Sequence, residues 1–284
     1  MTKIIPLAIL LIISSFDLFA QQPLKDIQVT SFRAPEKVKI DGLLKEWNDS
    51  FQAYNKHTRL YYTLSNNDKY LYLAVTSTDA GNINKIVAGG ITLTINTAGK
   101  KKEKDGYRIT FPLAGKSAGL GPSGGRRDNR QGPRSLPAVT DTTAIAASRK
   151  QLIASSKEIK VLGFAGIADT LISIYNEYGI KAAIGYDTLG NYNYELAVPV
   201  KLLEISSGQP MEIAYNIKVN GLTVNGGNAM GRAGAGGFGG GSGGSRGGGG
   251  QRGGNGAGGR NGGVDFEDLT SPSDFWGKYT LAKK

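Results

Sequence analysis

Hydrophobic and polar residues alternate along several short stretches of this chain, as they do in strands that bury one face. The clearest case is the stretch 70–76, in which leucine and valine alternate with tyrosine, alanine and threonine. A period of two predicts a β-strand with one side in a core. The stretches with this pattern are 59–64, 70–76, 91–95, 107–111, 158–164, 180–186, 192–198, 211–219 and 275–281.

These strands predict an all-β fold, because helical periodicity is scarce between them. Short polar turns separate many of them, which favours two packed antiparallel sheets in a jelly-roll-like β-sandwich. One short helix is predicted at 140–156, a single helical turn at 199–205, and an edge strand at 26–38. The residues expected in the core are Leu71, Leu73, Val75, Ile91, Leu93, Ile95, Leu196, Val198, Ile213 and Ile217.

The 42 glycines change this picture only locally, since more than half of them lie between positions 221 and 263. That block is too poor in apolar residues to repay the entropy of ordering it. A second stretch, 114–137, is rich in glycine, proline and arginine and has no periodicity. We therefore expect a single domain over 21–284, with long disordered insertions at 114–137 and 221–263.

Residues 1–20 have the layout of a secretory signal peptide: Lys3, an apolar run from Ile4 to Ile13, and Ala20 at the expected cleavage site. The apolar run is shorter than the roughly 20 residues of a membrane span. The prediction is an exported protein (periplasmic, outer-surface or secreted) with no transmembrane segment after cleavage. The chain has no cysteine, which excludes disulfides and thiolate metal sites.

The formal net charge of +11 suggests either contact with acidic polymers or simple solubility. The polyanion contact would involve the arginine cluster of the first insertion. Two Arg-Gly-Gly units in the glycine block imitate RNA-binding segments, but only one aromatic residue accompanies them, so no nucleic-acid partner is expected. The clustered arginines are Arg126, Arg127, Arg130 and Arg134.

Five short motifs, in order along the chain, together resemble the family 9 carbohydrate-binding modules and their β-sandwich relatives. The first is Ile40-Asp41-Gly42 with Glu46-Trp47, a tight turn closed by an aromatic residue. The others are Asp68-Lys69-Tyr70-Leu71-Tyr72, Tyr194 to Pro199, Tyr215 to Asn220 and Ser271 to Gly277. The resemblance implies a non-catalytic, sugar-binding β-sandwich. The two tryptophans that sandwich a sugar ring in that family are missing, since 84–90 and 265–269 contain none.

Other aromatic residues are then the candidates for a ligand platform. Tyrosines on two neighbouring strands would either form an exposed strip or pair across the strands. Trp47 and Trp276 are expected to pack in the fold. The candidate ligand-binding residues are Tyr61, Tyr62, Tyr70, Tyr72 and Phe266, the last as a substitute for one missing tryptophan.

No cofactor is indicated, although a structural calcium ion is conceivable near the turns. Four acids lie there, with turn formation by Asp41 and Asp68 as the simpler interpretation, and the metal question stays open. The single histidine, His57, lacks a nucleophile elbow, and no two carboxylates are paired by spacing, so no enzyme is expected. The four acids are Asp41, Glu46, Asp68 and Asp79.

The sequence therefore predicts a non-catalytic domain that binds a glycan or a cell-surface polysaccharide. The alternative is a structural or assembly protein of the cell envelope, whose basic glycine-rich loops contact acidic polymers or partner proteins. The oligomeric state does not follow from these patterns.

Overall fold

The computed structural model describes residues 23–48, 50–113, 142–205, 211–222 and 266–283. Within these ranges, eleven strands form two antiparallel sheets that pack as a β-sandwich, as the alternating pattern predicts. The strands are β1 (Ala53–Asn55), β2 (Leu60–Asn66), β3 (Tyr70–Ser77), β4 (Ile91–Asn96), β5 (Tyr107–Phe111), β6 (Glu158–Leu162), β7 (Leu171–Ser173), β8 (Lys181–Tyr186), β9 (Tyr192–Pro199), β10 (Glu212–Val219) and β11 (Ser273–Thr280). The strand orders are β1-β2-β3-β9-β8 in one sheet and β11-β10-β4-β5-β6-β7 in the other.

The core between the two sheets contains every residue that the sequence pattern assigned to it. All ten are at most 1% exposed. Buried tyrosines fill the rest of the layer, and the hydroxyls of Tyr62 and Tyr215 lie 2.9 Å apart. Burial raises the pKa of Tyr194 and of Tyr215, so both hydroxyls stay neutral.

The turn between β2 and β3 sets the register of the five-stranded sheet. The Asn67 side-chain oxygen accepts hydrogen bonds from the backbone N–H groups of Lys69 and Tyr70, at 2.9 and 2.8 Å. Such a bond mimics a backbone turn, which is why asparagine is common there. The neighbouring Asp68 pairs instead with Arg33 at 2.9 Å.

The predicted edge strand at 26–38 is wrong. Arg33 makes an isolated bridge to Asn66, and the chain then crosses the outer face of the five-stranded sheet. Apolar side chains of this segment pack on that face instead of pairing at the sheet edge, and they form a second, smaller core. Its buried members are Ala34, Leu44, Trp47, Tyr72, Ala74 and Ala197.

Three helices lie in the described ranges, where the sequence predicted one: α1 (Ala80–Gly89), α2 (Thr142–Ser155) and α3 (Phe266–Thr270). The prediction at 140–156 is confirmed by α2, and the turn at 199–205 by the 3-10 turn Val200–Leu203. In α1, the Asp79 side chain caps the first turn by accepting from the Asn82 N–H at 2.7 Å. The sequence analysis did not predict α1, because two of its residues are glycines, which lower helical propensity.

Both predicted insertions and the predicted signal peptide lie outside the described residues, except Gly221 and Leu222 at the start of the second insertion. The Leu222 N–H donates to the Leu269 carbonyl at 2.9 Å, so the two ends of the stretch 223–265 are held together. Of the helices in the described ranges, none combines the length and apolar character that a bilayer crossing requires.

Candidate functional site

The first motif of the family resemblance is an anchor that attaches the N-terminal segment to the five-stranded sheet. Glu195 is fully buried at the centre of the outer face of this sheet. Its carboxylate accepts from Trp47 Nε1 at 2.9 Å and from the N–H groups of Asp41 and Gly42 at 3.0 and 2.7 Å. Gly42 has φ +81°, and a Cβ there would lie 2.5 Å from the Ile184 carbonyl carbon. These residues hold the fold, and the Glu195 carboxylate is already bound by three donors.

Two opposing effects act on the Glu195 carboxylate: burial disfavours its charged form, and hydrogen-bond donors favour it. Burial raises the pKa of Glu195, while the hydrogen bonds from Trp47, Gly42 and Asp41 act in the opposite direction. The three donors pair the charge, as a buried charge requires. With all three in place, Glu195 is not available as a general base.

Two of the candidate tyrosines are buried and offer no ring face to a ligand. Tyr62 points between the sheets, is fully buried, and receives a hydrogen bond from the Gln28 N–H at 2.9 Å. Tyr72 does lie on the outer face, as the alternation predicts, but Trp47 packs against it with ring centroids 6.0 Å apart. Of the two alternatives for these tyrosines, an exposed strip of all four is therefore excluded, because Tyr62 faces the core and the N-terminal segment covers Tyr72.

Tyr61 is half-exposed at one end of the covered face and lines a solvent-open cavity of about 350 Å³, here called the Tyr61 groove. Tyr54 lies directly opposite on β1, with ring centroids 4.4 Å apart, and Phe51 follows at 6.1 Å. Leu43 and Leu189 add exposed apolar surface to the groove walls. The packing of Tyr54 and Phe51 holds the Tyr61 ring in place before any ligand binds.

Polar groups line the side of the groove formed by β3, β9 and the β8–β9 turn. The Thr76 hydroxyl donates to the Asn193 side-chain oxygen at 3.0 Å. This bond orients the buried Asn193 amide and does not involve the two N–H donors of that amide. In the turn, Asp187 accepts from the N–H groups of Leu189 and Asn191 at 2.9 and 2.8 Å. Among the described residues that line the groove, Asp187 is the one charged side chain.

Tyr70 lies at the other end of the covered face and lines a separate cavity of about 600 Å³. Its ring is flanked by Tyr72, with centroids 5.7 Å apart, and by the Lys181 ammonium at 5.8 Å from its centroid. The walls carry charges of both signs, including Lys69 and Glu177. The fold thus separates Tyr61 from Tyr70, so they do not form one platform.

The remaining candidates fall elsewhere. Phe266 is the first residue of α3, and the four clustered arginines of 126–134 lie outside the described residues. Trp47 packs as expected, whereas Trp276 is half-exposed on the outer face of the six-stranded sheet. Within the described ranges, no three histidine, cysteine or acidic side chains come together to hold a metal ion.

The acids proposed for calcium have other roles in the fold. Asp41 accepts from the Leu43 N–H at 3.0 Å, as a turn-forming residue does. Asp79 caps α1 and pairs with Arg59 at 3.1 Å. Glu46 lies in the 3-10 turn Lys45–Trp47. The turn interpretation is confirmed for Asp41, and the acids do not converge on one point.

Sequence reasoning missed most of the groove. Phe51, Tyr54 and Asn193 were not candidates, although each lies within or beside a strand that brings it next to Tyr61 or Thr76. One signal was available: Tyr54 and Tyr61 are two aromatic residues on either side of a polar turn, as in a hairpin. The three-residue length of β1 weakened it.

No protein-family model matches this chain, and the comparisons with curated proteins and with solved structures found no match either. The resemblance to the family 9 carbohydrate-binding modules therefore stays a prediction.

Proposed function

We propose that this protein is an exported, non-catalytic glycan-binding domain whose ligand lies in the Tyr61 groove. The observation that carries the proposal is a half-exposed tyrosine, held by Tyr54, beside oriented amide and carboxylate groups. An aromatic face packs against the apolar face of a sugar ring, while amides and carboxylates hydrogen-bond its hydroxyls. The family resemblance supports the same class of ligand. Export rests on the residues 1–20 alone.

The Tyr61 groove supports this function better than the Tyr70 cavity does. Among the described residues that line the groove there is no lysine or arginine. The hydroxyls of a neutral sugar therefore meet no cationic side chain there. In the Tyr70 cavity, lysines and acids lie together, so charged groups of both signs surround the place where a neutral sugar would bind.

The test is calorimetric titration of the full chain with a panel of soluble polysaccharides, together with the variant Tyr61→Ala. We expect the variant to weaken binding by about tenfold, since stacking and buried ring area are lost. Tyr175→Ala is the matched control, because Tyr175 is 79% exposed and does not line the groove. Equal affinities for the two variants, or new reducing ends in the mixture, would contradict the proposal.

The same titration distinguishes glycan binding in the Tyr61 groove from the alternative, a structural or assembly protein of the cell envelope. If the basic loops make the contact, binding should fall steeply with salt, be unaffected by Tyr61→Ala, and disappear when Arg126, Arg127, Arg130 and Arg134 are replaced. Binding that depends on Tyr61 and survives replacement of the four arginines supports the glycan site.

A further inference from the structure

A second cavity of about 530 Å³ opens beside the Tyr61 groove, on the other side of the β8–β9 turn. It lies between α1, α2 and this turn, and is here called the Arg149 cavity. The two cavities share Thr78, Leu189 and Asn191 as wall residues. The two cavities therefore lie side by side, on either side of these shared residues.

Arg149 is the one charged side chain among the described residues that line this cavity. The rest of the lining is apolar, such as Ile83 and Leu152, or uncharged and polar, such as Asn84 and Ser148. The two cavities thus differ in sign: the groove has a carboxylate and the second cavity has a guanidinium.

The fold holds this guanidinium in place. Its central carbon lies 4.5 Å from the centroid of the Tyr186 ring, which supports its plane. Arg149 Nη2 donates to the Gly190 carbonyl at 3.3 Å. Gly190 permits this approach, because a Cβ there would lie 2.8 Å from Nη2. This hydrogen bond to Gly190 uses one of the five N–H donors of the guanidinium. The guanidinium therefore keeps the capacity to bind an anion through two parallel hydrogen bonds.

No carboxylate of the packed elements neutralises Arg149. Neither α1 nor α2 contains an aspartate or glutamate, and none of the ion pairs within the described ranges includes Arg149. In the β8–β9 turn, the oxygens of Asp187 accept from Leu189 and Asn191. A guanidinium that is held in place and forms no ion pair with any described acid is suited to an external anion.

We propose that the ligand is an acidic glycan: a sugar unit packs on Tyr61, and the carboxylate of a neighbouring uronic acid binds Arg149. This inference rests on the proposed function and specifies its ligand class. The planar guanidinium, supported on Tyr186, matches the two oxygens of a carboxylate. The shared wall at Asn191 lies between the two binding groups.

The experiment compares each of three uronic-acid polymers (polygalacturonate, alginate and glucuronoxylan) with its methyl-esterified form, by titration of the full chain. We expect at least one acid form to bind about tenfold more tightly than its ester. Arg149→Gln should abolish this preference, and Arg149→Lys should retain only part of it. Lys150→Gln is the matched control, since it removes the same charge from an exposed neighbour outside the cavity.

The outcomes separate this inference from the proposed function. Tyr61-dependent binding with equal affinity for acids and esters would overturn the acidic-ligand inference and leave glycan binding standing. A preference that Lys150→Gln removes as fully as Arg149→Gln would overturn the role of Arg149. Dextran sulfate is titrated alongside these polymers, and Arg149-dependent binding confined to it would overturn the carboxylate assignment. Binding to none of these polymers, nor to the neutral panel, would defeat both proposals.

Discussion

The outer faces of the two sheets differ, although both belong to strands with the same alternating pattern. The outer face of the five-stranded sheet is covered by the N-terminal segment and carries a second apolar core around Trp47. The outer face of the six-stranded sheet keeps polar side chains, and its tryptophan, Trp276, remains half-exposed. The difference shows that the two tryptophans of this chain have different roles in the fold.

The buried polar group at the centre of each face shows the same contrast. Glu195 receives three donors from the covering segment, so it joins two parts of the chain. Asn216 lies on the other face and donates to Asp274 at 2.6 Å and to the Phe275 carbonyl at 3.0 Å, both on the adjacent strand. The first residue attaches a separate segment, whereas the second stays within its own sheet.

The largest difference between the two faces should be the one between Trp47 and Trp276. Trp47→Ala should lower the free energy of unfolding by about 3–5 kcal/mol, because it empties the second core and removes a donor from Glu195. Trp276→Ala should cost less than about 1 kcal/mol, as surface substitutions do. Urea unfolding followed by circular dichroism measures both. Similar losses for the two variants would contradict the comparison.

An intermediate effect is expected at Glu195. Glu195→Gln should cost about 1–3 kcal/mol at pH 7, because the amide turns an N–H toward backbone donors that need an acceptor. The raised pKa of Glu195 means that the folded protein binds this proton more tightly than the unfolded chain does. The stability that comes from this tighter proton binding is fully present below pH 4.5, the ordinary pKa of the group. It is lost as the pH rises through the pKa of Glu195 in the folded protein.

Acidification therefore tests the sign of this contribution. Between pH 7 and pH 4.5, the wild type should gain stability relative to Glu195→Gln, which cannot take up the proton. Paired urea titrations at several pH values give the difference directly. A difference that stays constant or shrinks on acidification would show that burial does not dominate at this site.

Of the two buried polar groups, Asn216 should have the smaller effect. Asn216→Ala should lower the free energy of unfolding by about 1 kcal/mol, since it removes hydrogen bonds within one pair of strands. The side-chain oxygen of Asn216 is buried and has no hydrogen-bond partner, so part of the lost bonding is offset. A loss as large as that of Trp47→Ala would show that the second face also anchors a segment.

Local patterns were sufficient for the sandwich itself. The alternation at 70–76 and 91–95 predicted β3 and β4, and their inward-facing leucines and isoleucines lie in the core. Helix α1 was missed because Gly81 and Gly89 weaken the helical propensity of a segment whose cap and apolar face are otherwise regular.

The candidate site was harder to predict than the fold. Trp47 meets Glu195 across 148 positions of the chain, and that contact decides that Tyr72 is covered while Tyr61 is not. The alternation shows correctly that Tyr72 lies on the outer face of its sheet. It carries no information about which distant segment crosses that face. Long-range packing therefore determined which aromatic residues stay open to a ligand.

The hydrogen bond between Leu222 and Leu269 has a practical consequence. Leu222 and Leu269, which lie on either side of the stretch 223–265, are neighbours through this bond, and Arg59 fixes the second side by pairing with Asp268 at 2.6 Å. Segments whose ends meet in this way can be exchanged with little entropic cost. A fluorescent or affinity-tag domain whose own termini lie side by side can therefore take the place of the stretch 223–265, which would allow the protein to be attached to a surface without modifying the Tyr61 groove.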